Sequence, residues 1–153
     1  MSPNDWGPPI WTMFHTMAEK INPEKFRELI PQIIFFIRRI CANLPCPECA
    51  GHATLFMSKV VFSNLRCKKD LQTILYFFHN VVNGRKRKPI FNQALLTEKY
   101  CNNNILVTYN NFVTAYTTKG NMKLMADSLQ RNIIMQEFRK WIMANHMHFN
   151  SPT

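Results

Sequence analysis

Asn43-Leu44-Pro45-Cys46-Pro47-Glu48-Cys49 separates two apolar helical runs, and the reading of this stretch decides the fold. A Cys-Pro-x-Cys motif between strands would belong to an alternating strand-and-helix architecture. Between helices it belongs to a bundle. The preceding residues read as helix. Asn22-Pro23-Glu24 offers a capping Asn, a proline at the first helical position and an acid near the positive helix end. Phe26, Leu29, Ile30, Ile33, Ile34, Ile37 and Ile40 then recur at helical period, through Pro31, which is expected to kink the helix without ending it. Further upstream, Pro8-Pro9 suits the first turn of a helix running to about Lys20.

Downstream, the motif heads a third helix over roughly 47–58. A fourth is expected over about 69–84, with Leu71, Ile74, Leu75, Phe78, Val81 and Val82 inward and Gly84 as its stop. A short fifth covers Leu95 to Cys101. Asn102-Asn103-Asn104 marks the expected boundary between a domain of 1–104 and an extension of 105–153. Within that extension, Ile105 to Tyr116 reads equally as strand or helix. Met122 to about Asn145 reads as helix, with Met125, Leu129, Ile133, Phe138 and Trp141 as its stripe. Met122, Met125, Met135, Met143 and Met147 suit an adaptable contact surface or, in the preferred reading, an ordinary core. The fold class is all-α: a four-helix bundle, a short fifth helix and a mainly helical extension.

The 153 residues suffice for a buried core, and 46% hydrophobic against 18% charged residues excludes a disordered chain. Ile33 to Ile37, the longest apolar run, is too short to span a bilayer, so no membrane partner is expected. Met1-Ser2-Pro3-Asn4-Asp5 lacks the basic start and apolar run of a secretory signal, and an intracellular location is expected. A net charge of +10 points to a solvated basic surface or an acidic partner. No RNA-binding aromatic signature or zinc-finger spacing accompanies it, and nucleic acid is not the expected partner.

The five cysteines of an intracellular chain are more often catalytic or metal-binding than a disulfide framework. Cys46 and Cys49 can cycle between dithiol and disulfide. At a helix N-terminus the dipole favours a thiolate, lowering the pKa from about 8.5 toward about 7 or below. Cys46, Cys49 and His52 could instead begin a zinc site, with Cys41 or Cys67 completing it, but no second paired motif exists and no metal is expected. Taken singly, Trp11 and Phe14 suit a helix core, His15 a satisfied imidazole, His79-Asn80 a polar helix face and Arg85-Lys86-Arg87-Lys88 a solvated run.

Together three blocks in order resemble the Erv/ALR family of FAD-linked sulfhydryl oxidases, especially the short forms of large DNA viruses. They are Gly7-x-x-x-Trp11-x-x-x-His15-Thr16-x-Ala18, Pro45-Cys46-Pro47-Glu48-Cys49, and His79-Asn80-x-Val82-Asn83 with Lys86, Lys88 and Pro89. The resemblance covers about residues 6–100. It implies a helical bundle holding FAD noncovalently, in a homodimer. Gly7, Trp11 and His15 would contact the flavin from the first helix. Tyr76, His79, Asn80, Val82 and Asn83 would contribute from the fourth, with Lys86 and Lys88 near the phosphates and Lys99 and Tyr100 from the fifth. Cys46 would exchange with a substrate dithiol and Cys49 would face the flavin. Electrons would pass to molecular oxygen to give hydrogen peroxide.

The chain departs from the pattern in places. Pro8 stands where an Arg often follows the first Gly, and Tyr100 replaces a usual Trp. Tyr76 and Gln93 occupy the positions of a further structural cysteine pair, and no second Cys-x-x-Cys serves as a shuttle. The oxidase would then hand oxidising equivalents directly to a thiol-containing protein or a thioredoxin-like carrier, in a host cytoplasm or virion if viral. The reading from another class is a basic helical module binding nucleic acid or protein, its cysteines non-catalytic. A thioredoxin-like reductase is set aside, because residues 1–45 read as helix.

Overall fold

The computed structural model describes residues 3–117 and 125–151, and every regular element within them is helical. The four-helix body comprises α1 (Pro3–Lys20), α2 (Phe26–Ala42), α3 (Pro47–Ser58) and α4 (Lys68–Arg85), followed by the short α5 (Leu96–Tyr100). Helices α6 (Ile105–Tyr116) and α7 (Met125–Asn145) complete the chain, which resolves the strand-or-helix ambiguity of 105–116. The expected all-α class is what forms.

Helix α1 is the central strut, packed against α4 and α5 and also against α6. That enclosure explains why every residue from Met13 to Glu19 is buried. The helix begins at Pro3, well before the expected Pro8. The two prolines offer no N–H to the carbonyls of Asn4 and Asp5, residues that are exposed to water. Burial of Trp6 draws that first turn into the helix. Pro31 is tolerated inside α2 for the same reason, since the carbonyl it deprives belongs to exposed Arg27.

The end of α4 differs from expectation. Gly84 remains helical, and Arg87 adopts the left-handed conformation with φ 56°. The turn is closed by the Lys88 N–H donating to the Asn83 carbonyl at 2.8 Å. Val81, expected inward, is exposed.

Helices α6 and α7 join the same hydrophobic core as α1 and α2. Asn103 Nδ2 donates to Thr16 Oγ1 at 3.0 Å, and Asn104 caps α6 by accepting from the amides of Leu106 and Val107. Helix α7 runs antiparallel along α2. Trp141 Nε1 donates to Gln32 Oε1, Phe138 and Trp141 pack on Phe36, Glu137 pairs with Arg39, and Arg131 reaches Asn43. Leu129 and Ile133 are exposed, against the expected stripe. The inward row is Arg131, Ile134, Met135, Phe138, Trp141 and Ile142, and the cation at its head disguised its register. Met135 is core, whereas Met143 and Met147 are exposed. Met122 and the side chain of Met125 lie outside the described residues. Phe138 is fully buried against rings of α2, α6 and α7. Phe138→Ala should therefore cost about 3–5 kcal/mol, read as a lowered midpoint in chemical denaturation.

Candidate active site

Cys46 is the N-cap of α3 and Pro47 its first residue, so the motif specifies its own helix start. The Cys46 Sγ accepts the Cys49 N–H at 3.3 Å. One helical turn later, Cys49 faces a cavity of about 530 Å³, within the size range of small-molecule sites. Cys46 does not line it. Both sulfurs are half-buried thiols.

The cavity walls come from four elements. Helix α1 supplies Trp6, Gly7, Ile10, Trp11 and Phe14, and α2 contributes Cys41. The α2–α3 link and α3 add Leu44, Glu48, Cys49, His52 and Ala53, while α4 and its end bring Phe78, Val82, Arg85 and Lys86. A Cβ added at Gly7 would meet nothing within 4 Å, so glycine there leaves open space along the wall. Lys86 Nζ lies 5.8 Å from the Trp6 ring centroid.

Beside the cavity the rings form a continuous series. Phe56 stacks on Phe78 at 4.5 Å, Phe78 meets Trp11 edge-on at 4.9 Å, and Trp11 stacks on His79 at 4.1 Å with planes 6° apart. His15 Nε2 lies 2.9 Å from His79 Nδ1, one ring donating to the other. His15 stacks on Tyr100 at 4.9 Å, and Lys99 Nζ sits over both Tyr100 and Phe91.

The structure thus sorts the residues singled out from sequence. Gly7, Trp11, Cys49, Val82 and Lys86 line the cavity, and His15, His79, Lys99 and Tyr100 form the adjoining ring cluster. Asn80 is engaged with the loop before α5: its Oδ1 accepts the Phe91 N–H at 3.1 Å and the Asn83 Nδ2 at 3.2 Å. Lys88 donates to Asn4 Oδ1 at 3.0 Å. Tyr76 rests against Phe77 and is not among the cavity walls. Sequence reasoning did not assign Trp6, Ile10, Phe14, Leu44, Ala53, Phe78 or Arg85 to the site. The four-residue spacing of Trp6, Ile10 and Phe14 carried that signal for α1.

Electrostatics revise the expectation of a thiolate-favouring pair at Cys49. Burial pushes the Cys49 thiol up to about 11, with the hydrogen bond and charge of Cys46 adding and Lys86 opposing. The desolvation outweighs the helix N-terminus. Burial also lowers His15 to about 3, assisted by His79 and Lys99. His79 falls to about 4 by burial and the charges of Lys99, Lys88 and Lys86. Both imidazoles are neutral at physiological pH. His52 Nε2 lies 3.7 Å from Glu48 Oε1 at an exposed position. Among the described residues no three His, Cys, Asp or Glu side chains converge as a metal site.

An all-helical body that sets one thiol of a Cys-x-x-Cys pair on an aromatic-walled cavity defines a dithiol redox protein of the helical-bundle class. The Erv1 / Alr family profile matches residues 8–101, and the chain belongs to that family. It is similar to the putative FAD-linked sulfhydryl oxidase 347L of Invertebrate iridescent virus 6, with 24% identity over 65% of this chain and 96% of that protein. The FAD-linked sulfhydryl oxidase of African swine fever virus (isolate Pig/Kenya/KEN-50/1950) is 34% identical over 56% of this chain and 71% of its own length. The probable FAD-linked sulfhydryl oxidase OPG072 of Vaccinia virus (strain Copenhagen) is 28% identical over 58% and 87%. No solved structure matches.

The two histidines yield a pH dependence of definite sign. Their folded pKa values lie below the ordinary 6.5, so the unfolded chain binds more protons as the pH falls. Their contribution is complete above pH 6.5 and is lost as the pH drops through about 4 and then about 3. The thermal midpoint should fall on acidification from neutral pH toward 4, and His79→Gln should flatten that slope in calorimetry.

Proposed function

We propose that this chain is a FAD-linked sulfhydryl oxidase that makes disulfides in other proteins through Cys46 and Cys49. The observation that carries the reading is the split of the pair: Cys49 lines the cavity while Cys46, capping the same helix, does not. The cavity fits FAD by its chemistry. Flat apolar walls of Trp11, Phe14 and Phe78 suit a heteroaromatic ring, Gly7 leaves room along the wall, and Arg85 and Lys86 suit a diphosphate. Gly7, Trp11, Val82 and Lys86 would hold the cofactor in the cavity. His15, His79, Lys99 and Tyr100 would hold it at the ring cluster, with Lys88 near the phosphates. Asn80 and Asn83 would act by fixing the loop at Phe91, and Tyr76 from α4 beside them.

The protein's own steps balance as two-electron exchange. A substrate thiolate attacks Cys46 Sγ of the Cys46–Cys49 disulfide, the S–S bond breaks, and a mixed disulfide forms on Cys46. Cys49 leaves with the electron pair and takes up a proton, as its raised pKa requires. The second substrate thiol, on losing its proton, attacks its partner sulfur. The substrate disulfide forms, Cys46 is released, and two electrons and two protons rest on the pair. FAD held by these residues would supply the acceptor for those two electrons and their route to oxygen, with hydrogen peroxide as product. Lys86 is the cation that eases Cys49 back toward its thiolate for that transfer.

The immediate substrate is a thiol-containing protein or a thioredoxin-like carrier. Exposed Phe77 and Val81, one turn apart on α4, support a homodimer contact. The viral sources of the relatives support a host cytoplasm or virion as the setting. No helix among the described residues is long and apolar enough to cross a membrane.

The purified protein should show a flavin spectrum that bleaches with dithiothreitol and recovers in air with peroxide formed. A colourless protein after reconstitution with FAD would overturn the proposal. Cys49→Ser and Cys46→Ser should each abolish turnover of a dithiol substrate. In the reduced chain, Cys49 alkylation should rise roughly tenfold per pH unit until about pH 11, followed by mass spectrometry of the peptide.

A further inference from the structure

The redox pair hangs from a short link. Asn43, Leu44 and Pro45 are all that separate the end of α2 from the Cys46 cap of α3. Helix α3 buries Ala53 and Met57, is tied to α2 by Arg38 Nε donating to the Met57 carbonyl at 3.3 Å, and leans on α4 through the Phe56–Phe78 stack. These contacts hold its far end; the end that carries Cys46 is held through the link.

Two buried side chains from the C-terminal helices fix it. Tyr116 of α6, fully buried, donates its hydroxyl to the Ile40 carbonyl at 3.1 Å. Arg131 of α7, 2% exposed, donates Nη1 to the Asn43 carbonyl at 3.5 Å. The Arg131 Nε has no partner, and no ion pair among the described residues includes this guanidinium. Burying a cation is costly unless it is compensated. Here the compensation comes from the carbonyl-rich, negative end of α2, where a cation is favoured. A buried arginine with no ion pair among the described residues is an expensive way to fill space. Its use is the carbonyl it holds.

We infer that Arg131, seconded by Tyr116, positions the Cys46–Cys49 pair by pinning the end of α2 and the Asn43 link that carries Cys46. Both residues lie beyond the 8–101 stretch matched by the family profile, so this is a device of the chain's own C-terminal segment. The inference rests on the redox reading of the pair. It makes α7 a brace of the site: aromatic packing and the Gln32–Trp141 bond secure its far end, and Arg131 secures the end at the thiols. Releasing the link would weaken the 3.3 Å contact by which Cys46 Sγ accepts the Cys49 amide in the dithiol form.

The test is the dithiol–disulfide equilibrium of the full chain in glutathione buffers, read for the Cys46–Cys49 peptide by mass spectrometry. Arg131→Met should shift it toward the disulfide by about tenfold, which is about 30 mV for a two-electron couple. It should also slow Cys46 alkylation. Tyr116→Phe keeps the ring and removes only the hydroxyl, so it folds if Arg131→Met does not, and it should shift the equilibrium in the same direction by a few-fold. Arg131→Lys should restore most of the loss. Trp141→Phe perturbs the far end of the α2–α7 contact and should lower stability without moving the equilibrium. If Arg131→Met and Tyr116→Phe lose stability but leave equilibrium and alkylation at wild-type values, the positioning role is overturned. If the wild-type pair forms no disulfide in any buffer, the redox reading itself fails, a separate result.

Discussion

The contact of Trp11 with Phe78 and His79 is the constraint on which both bundle and site depend. It joins α1 to α4 through an edge-on ring on one side and a stacked imidazole on the other. Because α1 is also covered by α6, its run from Met13 to Glu19 is buried throughout. The same Trp11 that closes the core on one side therefore walls the cavity on another. Neutral histidines follow from this enclosure. A protonated His15 or His79 would place charge among rings and beside Lys99, so burial and like charge act together.

A second consequence concerns the thiols. A helix N-terminus alone would favour thiolate at both positions of a Cys-x-x-Cys pair. The fold breaks that equivalence by giving the sulfurs different surroundings. Cys46 receives an amide as cap, while Cys49 is desolvated at the cavity wall with Lys86 as its counterweight. An exchanging sulfur must be reachable, and a sulfur that donates electrons inward must be proton-controlled. One turn of helix separates the two requirements.

Much of this was legible in the sequence because it is local. Cap, proline and helical period locate α2 and α3 from neighbouring residues alone, and the three motif blocks contain Gly7, Trp11, Cys49, Val82 and Lys86 of the cavity wall and His15 and His79 of the ring cluster. What escaped is what depends on partners remote in sequence. Pro8 and Pro9 read as a helix start, yet exposure of Asn4 and Asp5 lets the helix begin sooner. Gly84 reads as a stop, but the Asn83–Lys88 bond places the left-handed residue at Arg87. Leu129 and Ile133 read as core. A hydrophobicity pattern has no means of knowing that an arginine points inward, because its compensation is the end of another helix. Cys49 shows the same limit in electrostatics: the helix dipole is written in the motif, whereas the desolvation comes from burial in the folded chain.

The C-terminal helices pose the remaining structural question, why a redox bundle should carry them. Helix α6 covers one side of α1, and without α7 the Phe36 face of α2 would be bare. Covering those faces explains Phe112, Phe138 and Trp141. It does not explain Arg131, which leucine or methionine would replace at lower desolvation cost. An arginine where α7 meets the end of α2 is accounted for by its bond to Asn43, three residues before Cys46. The extension thus does two physically separate things, burial along most of its length and polar restraint at the point nearest the thiols.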